Sequence, residues 1–113
     1  MSTITHMYTV ENPAGVRFAM RAVPVGAPIH SRSGTLRNTG SEAIIEFFDL
    51  SSMRDGSPQF VSSYCRTTFM ETASRGAGLL LNGGAPDRWF LSAENVQELA
   101  DAADIAMLTT GAA

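Results

Sequence analysis

The sequence predicts an α+β domain: a mainly antiparallel sheet of about five strands with two helices, in the order β-β-β-α-β-β-α. Three observations carry that reading. Residues near the start alternate apolar and polar with a period of two. Two later stretches repeat apolar residues every three or four positions and begin with cap-forming residues. The links between strands are turns, too short for the crossovers that parallel pairing needs.

The 113 residues form one domain, residues 1–113. A chain of this size buries about two thirds of its unfolded surface, enough for one core. It is 44% apolar and 17% charged, which excludes the disordered class. Cys65 is the only cysteine, so packing rather than an internal disulfide must hold the domain together, as suits a reducing compartment. The start is polar and alternating rather than basic then apolar, unlike a secretory signal. No apolar run approaches the ~20 residues of a membrane span, and the expected location is cytoplasmic.

Taken in order, residues 3–10 alternate, with Ile4, His6, Tyr8 and Val10 on one face. Glu11 to Gly15 is turn chemistry. Residues 16–23 alternate again, with Val16, Phe18, Met20 and Ala22 opposed to Arg17 and Arg21. The pair predicts an antiparallel hairpin with one wet face. Residues 24–41 hold two prolines, three glycines and many small polar residues, which predicts a long loop with a short irregular strand near Thr35 to Arg37. Ala43 to Asp49 is apolar on both sides, as a central strand would be. Ser51 to Gly56 is expected to turn.

Ser57 and Pro58 predict a helix start. Phe60, Val61, Tyr64, Cys65, Thr68 and Phe69 supply its stripe, and Gly76 its end. Gly78 to Asn82 and Arg88 to Leu91 predict two short strands joined through Gly83 and Gly84. Ser92 caps a last helix, with Glu94 in its first turn. Val96, Leu99, Ala100, Ala103 and Met107 form its apolar stripe, and Glu94, Glu98 and Asp101 the opposite face. Thr109 to Ala113 is expected to fray.

Charge is split along the chain. Residues 1–41 carry four arginines (Arg17, Arg21, Arg32, Arg37) against Glu11 alone, and the remainder carries four against ten acids. All eight basic residues are arginine. That usage reflects either a GC-rich coding bias or a demand for planar, bidentate donors.

Candidate chemistry is sparse. His6, His30 and Cys65 lack metal-ligand spacing. Ser62 and Ser63 fall inside the predicted first helix rather than in a nucleophile elbow, and Cys65 falls on that helix's apolar side. His30 could act as a base from the long loop. Gly83 and Gly84 lie between strands rather than before a helix, so they read as a turn and not a phosphate cradle. No cofactor or metal is expected. Arg17, Arg21, Arg32 and Arg37 could meet phosphates or an acidic partner, and Glu94, Glu98 and Asp101 a basic one.

One stretch adds a resemblance. It holds Phe47-Phe48-Asp49, Gly56, Gln59-Phe60-Val61-Ser62-Ser63-Tyr64, Gly78-Leu79-x-Leu81-x-Gly83-Gly84 and Trp89. This resembles a group of small uncharacterised bacterial and phage-borne proteins with an aromatic-Asp, Gly-Gln-Phe-Val-Ser-x-Tyr, Gly-Leu-x-Leu-x-Gly-Gly, Trp pattern. Here Ser57 and Pro58 intervene between the glycine and the glutamine. The resemblance covers residues 44–91 and implies a mobile-element origin. The expected function is a non-enzymatic protein-binding module, an inhibitor of a bacterial defence complex such as a CRISPR effector, acting by surface occlusion. The alternatives are a small accessory or regulatory nucleic-acid-binding protein, and an enzyme using His30 with Cys65 or a serine.

Overall fold

The computed structural model describes residues 7–81 and 86–110, apart from the side chains of residues 52, 54 and 108–110. The elements run β1 (Tyr8–Glu11), β2 (Arg17–Val23), β3 (Ile44–Arg54), β4 (Ser57–Cys65), α1 (Arg66–Ser74), β5 (Leu79–Leu80), α2 (Pro86–Trp89), β6 (Phe90–Leu91) and α3 (Ala93–Thr110). Four strands form an antiparallel sheet in the order β1-β2-β3-β4, and β5 pairs with β6. The fold is α+β, as the sequence predicts.

Register explains the layering. Met20 lies opposite Phe47 and Ala22 opposite Ile45, while Arg21 lies opposite Glu46. Alternation therefore puts Phe18, Met20, Ile45 and Phe47 on one face. Those residues are buried against Phe69 and Ala73 of α1, Val96, Leu99, Ala100 and Ala103 of α3, and Leu79, Leu81 and Leu91. The predicted hairpin and the apolar stripe of the last helix both hold, with Met107 half-buried. Ser92 caps α3 as expected, its Oγ accepting from Asn95 N–H at 3.1 Å.

The predicted helix from Ser57 is corrected. Residues Ser57–Cys65 are an edge strand, and α1 begins only at Arg66. The reason lies just upstream. Asp55 and Gly56 take φ of 54° and 77°, the paired positive angles of a tight hairpin turn whose right-handed twist matches its strands. β3 therefore runs on through Arg54, which pairs with Ser57. Pro58 is tolerated because an edge strand can do without one N–H. Helix α1 still ends where predicted, with Gly76 at φ 71°. The side chain of its cap residue, Cys65, makes no capping hydrogen bond. The carboxylate of Glu42 reaches in instead and accepts from Thr67 N–H at 2.8 Å and Thr67 Oγ1 at 2.5 Å.

The strand predicted from Arg88 is also corrected, to one turn of helix followed by the two residues of β6. Residues 3–6 of the first predicted strand, the turn at residues 83–85 and the tail at residues 111–113 lie outside the described residues.

Several residues of the resembling pattern have a structural task. Asp49, 1% exposed, accepts from Arg88 Nη2 at 2.9 Å and from Ser51 N–H at 2.8 Å. Arg88 in turn stands 5.0 Å from the Trp89 ring, and Trp89 meets Phe18 at 5.9 Å. Tyr64 donates its hydroxyl to the Leu80 carbonyl at 2.8 Å. At Gly78 an added Cβ would fall 1.9 Å from the Phe90 ring. These contacts tie residues 78–81 and 86–91 to the sheet.

Candidate functional site

The second face of the sheet is wet only in part: Thr9, Glu11 and Arg17 are exposed on it, as the reading of the hairpin expects, but its middle is covered. Ala19, Val23, Glu46 and Phe48 lie on it and are all buried. What covers them is the segment between β2 and β3. It folds back on itself as an irregular two-legged arm. Asn38 N–H donates to the Ala27 carbonyl at 2.9 Å and Ile29 N–H to the Leu36 carbonyl at 3.1 Å, on either side of a bridge between Pro28 and Arg37. The predicted strand near Thr35 is thus reduced to this one bridge. Gly34, at φ 74°, closes the tip, where its N–H points to the Ser31 carbonyl at 3.3 Å.

Three anchors fix the arm. At its base the Asn38 side-chain amide, 2% exposed as a residue, donates to the carbonyls of Val23 at 3.1 Å and Glu42 at 2.9 Å. In its middle, Glu46 accepts from His30 N–H at 2.6 Å and from Arg21 Nε at 2.9 Å. A second Arg21 contact, from Nη2, reaches the same Glu46 oxygen, and the His30 N–H takes the other. Third, the His30 ring stacks on Phe60 at 4.4 Å and 13°, with Phe48 edge-on at 5.8 Å.

The four predicted arginines separate into different tasks. Arg21 is committed to Glu46. Arg37 donates from Nη1 to the Gly26 carbonyl at 3.2 Å and braces the arm. Arg32 is exposed at the tip. Arg17 sits opposite Glu11 at the far end of β2, about 13 Å along the strand from Arg21. The acidic residues lie on the other layer. Glu94, Glu98 and Asp101 are exposed on α3. Glu98 accepts from the Tyr8 hydroxyl at 2.8 Å, which raises the Tyr8 pKa above its ordinary value. Asp101 accepts from Gln97 Nε2 at 3.0 Å. Nearby Asp104 pairs with Arg66 at 2.5 Å, a partner distant in sequence.

No family model, curated protein or solved structure matches this chain.

The residues considered for nucleophilic chemistry do not converge. Ser62 lies opposite Phe47 on the helix-facing side, while His30 packs on the other side of the sheet. Cys65 is half-buried at the end of β4, not on a helix, with Sγ 3.2 Å from Thr68 Oγ1. Strand rise sets it about 16 Å from Phe60, beside which His30 sits. A nucleophile and its base need direct hydrogen-bond reach. Among the described residues no cluster of three His, Cys, Asp or Glu is arranged to hold a metal. Among them, too, no helix is long and apolar enough to cross a membrane.

Sequence reasoning missed what the arm presents. Val25 and Leu36 are each 55% exposed, beside Arg37 and near the tip residue Arg32. A signal for the anchor was present: Glu46 is a lone acid inside Ile44-Ile45-Glu46-Phe47-Phe48, and an acid in an apolar central strand needs a buried partner.

Proposed function

We propose that the chain is a non-enzymatic protein-binding module whose contact surface is the arm from Pro24 to Asn38, and that its partner is a bacterial defence complex of the CRISPR-effector class, blocked by occlusion. The observation that carries the reading is the arm itself. It exposes Val25 and Leu36 alongside Arg32 and Arg37, yet it is anchored through Glu46, Asn38 and His30. Arginine is enriched at binding hot spots, exposed apolar side chains beside it add area to bury, and a pre-ordered segment loses little entropy on docking. The partner class rests on the resemblance to phage-borne proteins. The nucleic-acid alternative draws on the same arginines, and it is weakened because Arg21 is neutralised by Glu46 and Arg17 faces Glu11.

The test is retention and inhibition together. Reconstituted CRISPR effector complexes are assayed for target cleavage with the wild-type chain and with Arg32→Glu and Leu36→Glu. Inhibition that survives high salt and is lost in both variants is the expected result. No complex retained at either low or high salt would sink the proposal. Steeply salt-dependent retention of bare DNA or RNA would favour the alternative.

A further inference from the structure

The sheet has two edges, β1 and β4, and they differ. β1 is four residues long and ends in the charged Glu11. β4 runs nine residues, Ser-Pro-Gln-Phe-Val-Ser-Ser-Tyr-Cys, without one charged side chain. Open edges invite further strands unless charge, proline or a bulge blunts them. The first half of β4 has such protection in Pro58 and in the register shift opposite Phe47 and Phe48. That shift makes Val61 the extra residue of the bulge, and beyond it Ser62 to Cys65 has no such protection.

Hydrogen-bond parity shows which groups face outward. Arg66 N–H donates to the Ala43 carbonyl, and Ile44 lies opposite Cys65. That makes Ile44 and Cys65 a pair whose own backbone groups point away from each other. Two residues back, Ser63 opposite Glu46 has the same parity. The N–H and C=O of Ser63 therefore point off the edge, and no backbone hydrogen bond from another described residue reaches them.

The geometry points to a second copy of this chain as the occupant, pairing β4 against β4 about a two-fold axis at Ser63. An antiparallel strand pair is itself two-fold symmetric, so an open strand is complementary to its own copy. Ser63 would exchange two backbone bonds with Ser63 of the second copy, and Tyr64 would lie opposite Ser62. The absence of charge from the whole strand means that no like charges meet at the axis. The two four-stranded sheets become one of eight. The arm's His30 stacks on Phe60 in the first half of β4; the pairing uses the second half and does not depend on the arm's function.

Sedimentation equilibrium tests it, with loading raised to ~200 µM so that association as weak as about 10 µM registers. The wild-type chain is expected to dimerise. Ser63→Lys, at an exposed position, should remain folded by thermal melting and sediment as a monomer. Thr9→Lys on the opposite edge should leave the dimer intact. Ser63→Cys in a Cys65→Ser background should oxidise to a covalent dimer. A wild-type chain that stays monomeric overturns the proposal. So does a dimer that Ser63→Lys leaves unchanged or that Thr9→Lys dissolves.

Discussion

Glu46 accepts a hydrogen bond from the backbone N–H of His30 at 2.6 Å. This joins a central strand to a surface arm sixteen positions away in sequence. The same carboxylate holds Arg21, so one buried acid positions both the arm and the guanidinium beneath it.

Removing that acid should be costly. Glu46→Ala leaves the Arg21 guanidinium, whose side chain is 19% exposed, without its counter-charge. Breaking a buried pair from one side costs about 3–5 kcal/mol. Urea unfolding should show that loss, and amide exchange at His30 and Ile29 should quicken more than exchange in α3. Uniform acceleration across the chain would mean that Glu46 does not anchor the arm in particular.

Asp49 and Arg88 should show coupling. Asp49 is buried and bonds both Arg88 and the Ser51 backbone. Asp49→Ala should cost about 1.5–3 kcal/mol, the range for hydrogen bonds to charged groups. A double-mutant cycle with Arg88→Ala should give a coupling of about 0.5–3 kcal/mol. Strict additivity would show that the pair does not hold the segment at residues 86–91 in place.

Glu42 gives the pH dependence a sign. The Thr67 hydroxyl and N–H hold its carboxyl below the ordinary value of 4.5. A group whose folded pKa is depressed contributes stability above its unfolded pKa and loses it as pH falls through the folded one. Wild type should therefore exceed Glu42→Gln in stability at neutral pH. The gap should shrink as pH drops below 4.5, read from melting temperatures across the acid range. A gap that persists unchanged at low pH would assign the effect to something other than the carboxylate at α1.

Gly78 should tolerate no side chain. Its Cβ would lie 1.9 Å from Phe90 and 2.8 Å from the Leu91 carbonyl. Gly78→Ala should cost about 1–3 kcal/mol through overpacking. Shortening the ring with Phe90→Leu should recover part of the loss, because the ring is the closer obstacle. Chemical denaturation of the three variants checks both statements.

The sequence by itself determined the α+β class, the antiparallel hairpin of β1 and β2, the central position of β3 and the capped helix α3. Each of these is local. Period-two alternation, a turn cluster and a serine cap act within a few residues and need no distant partner. Tertiary structure decided the rest. Residues 57–65 have spacing compatible with a helix, and they became a strand because the Asp55-Gly56 hairpin delivered them to an open edge of β3. Asp-Gly between apolar runs was the legible signal there, outweighed by the cap-like Ser57-Pro58. The task of each arginine was equally hidden. Arg17, Arg21, Arg32 and Arg37 are the same residue type within 21 positions, yet one is neutralised by Glu46, one braces a carbonyl and one stands at the arm's tip. Charge is a property of the residue, but its partner is set by which strands and loops meet. Only the fold brings Glu46 beneath the arm and Asp104 beside Arg66.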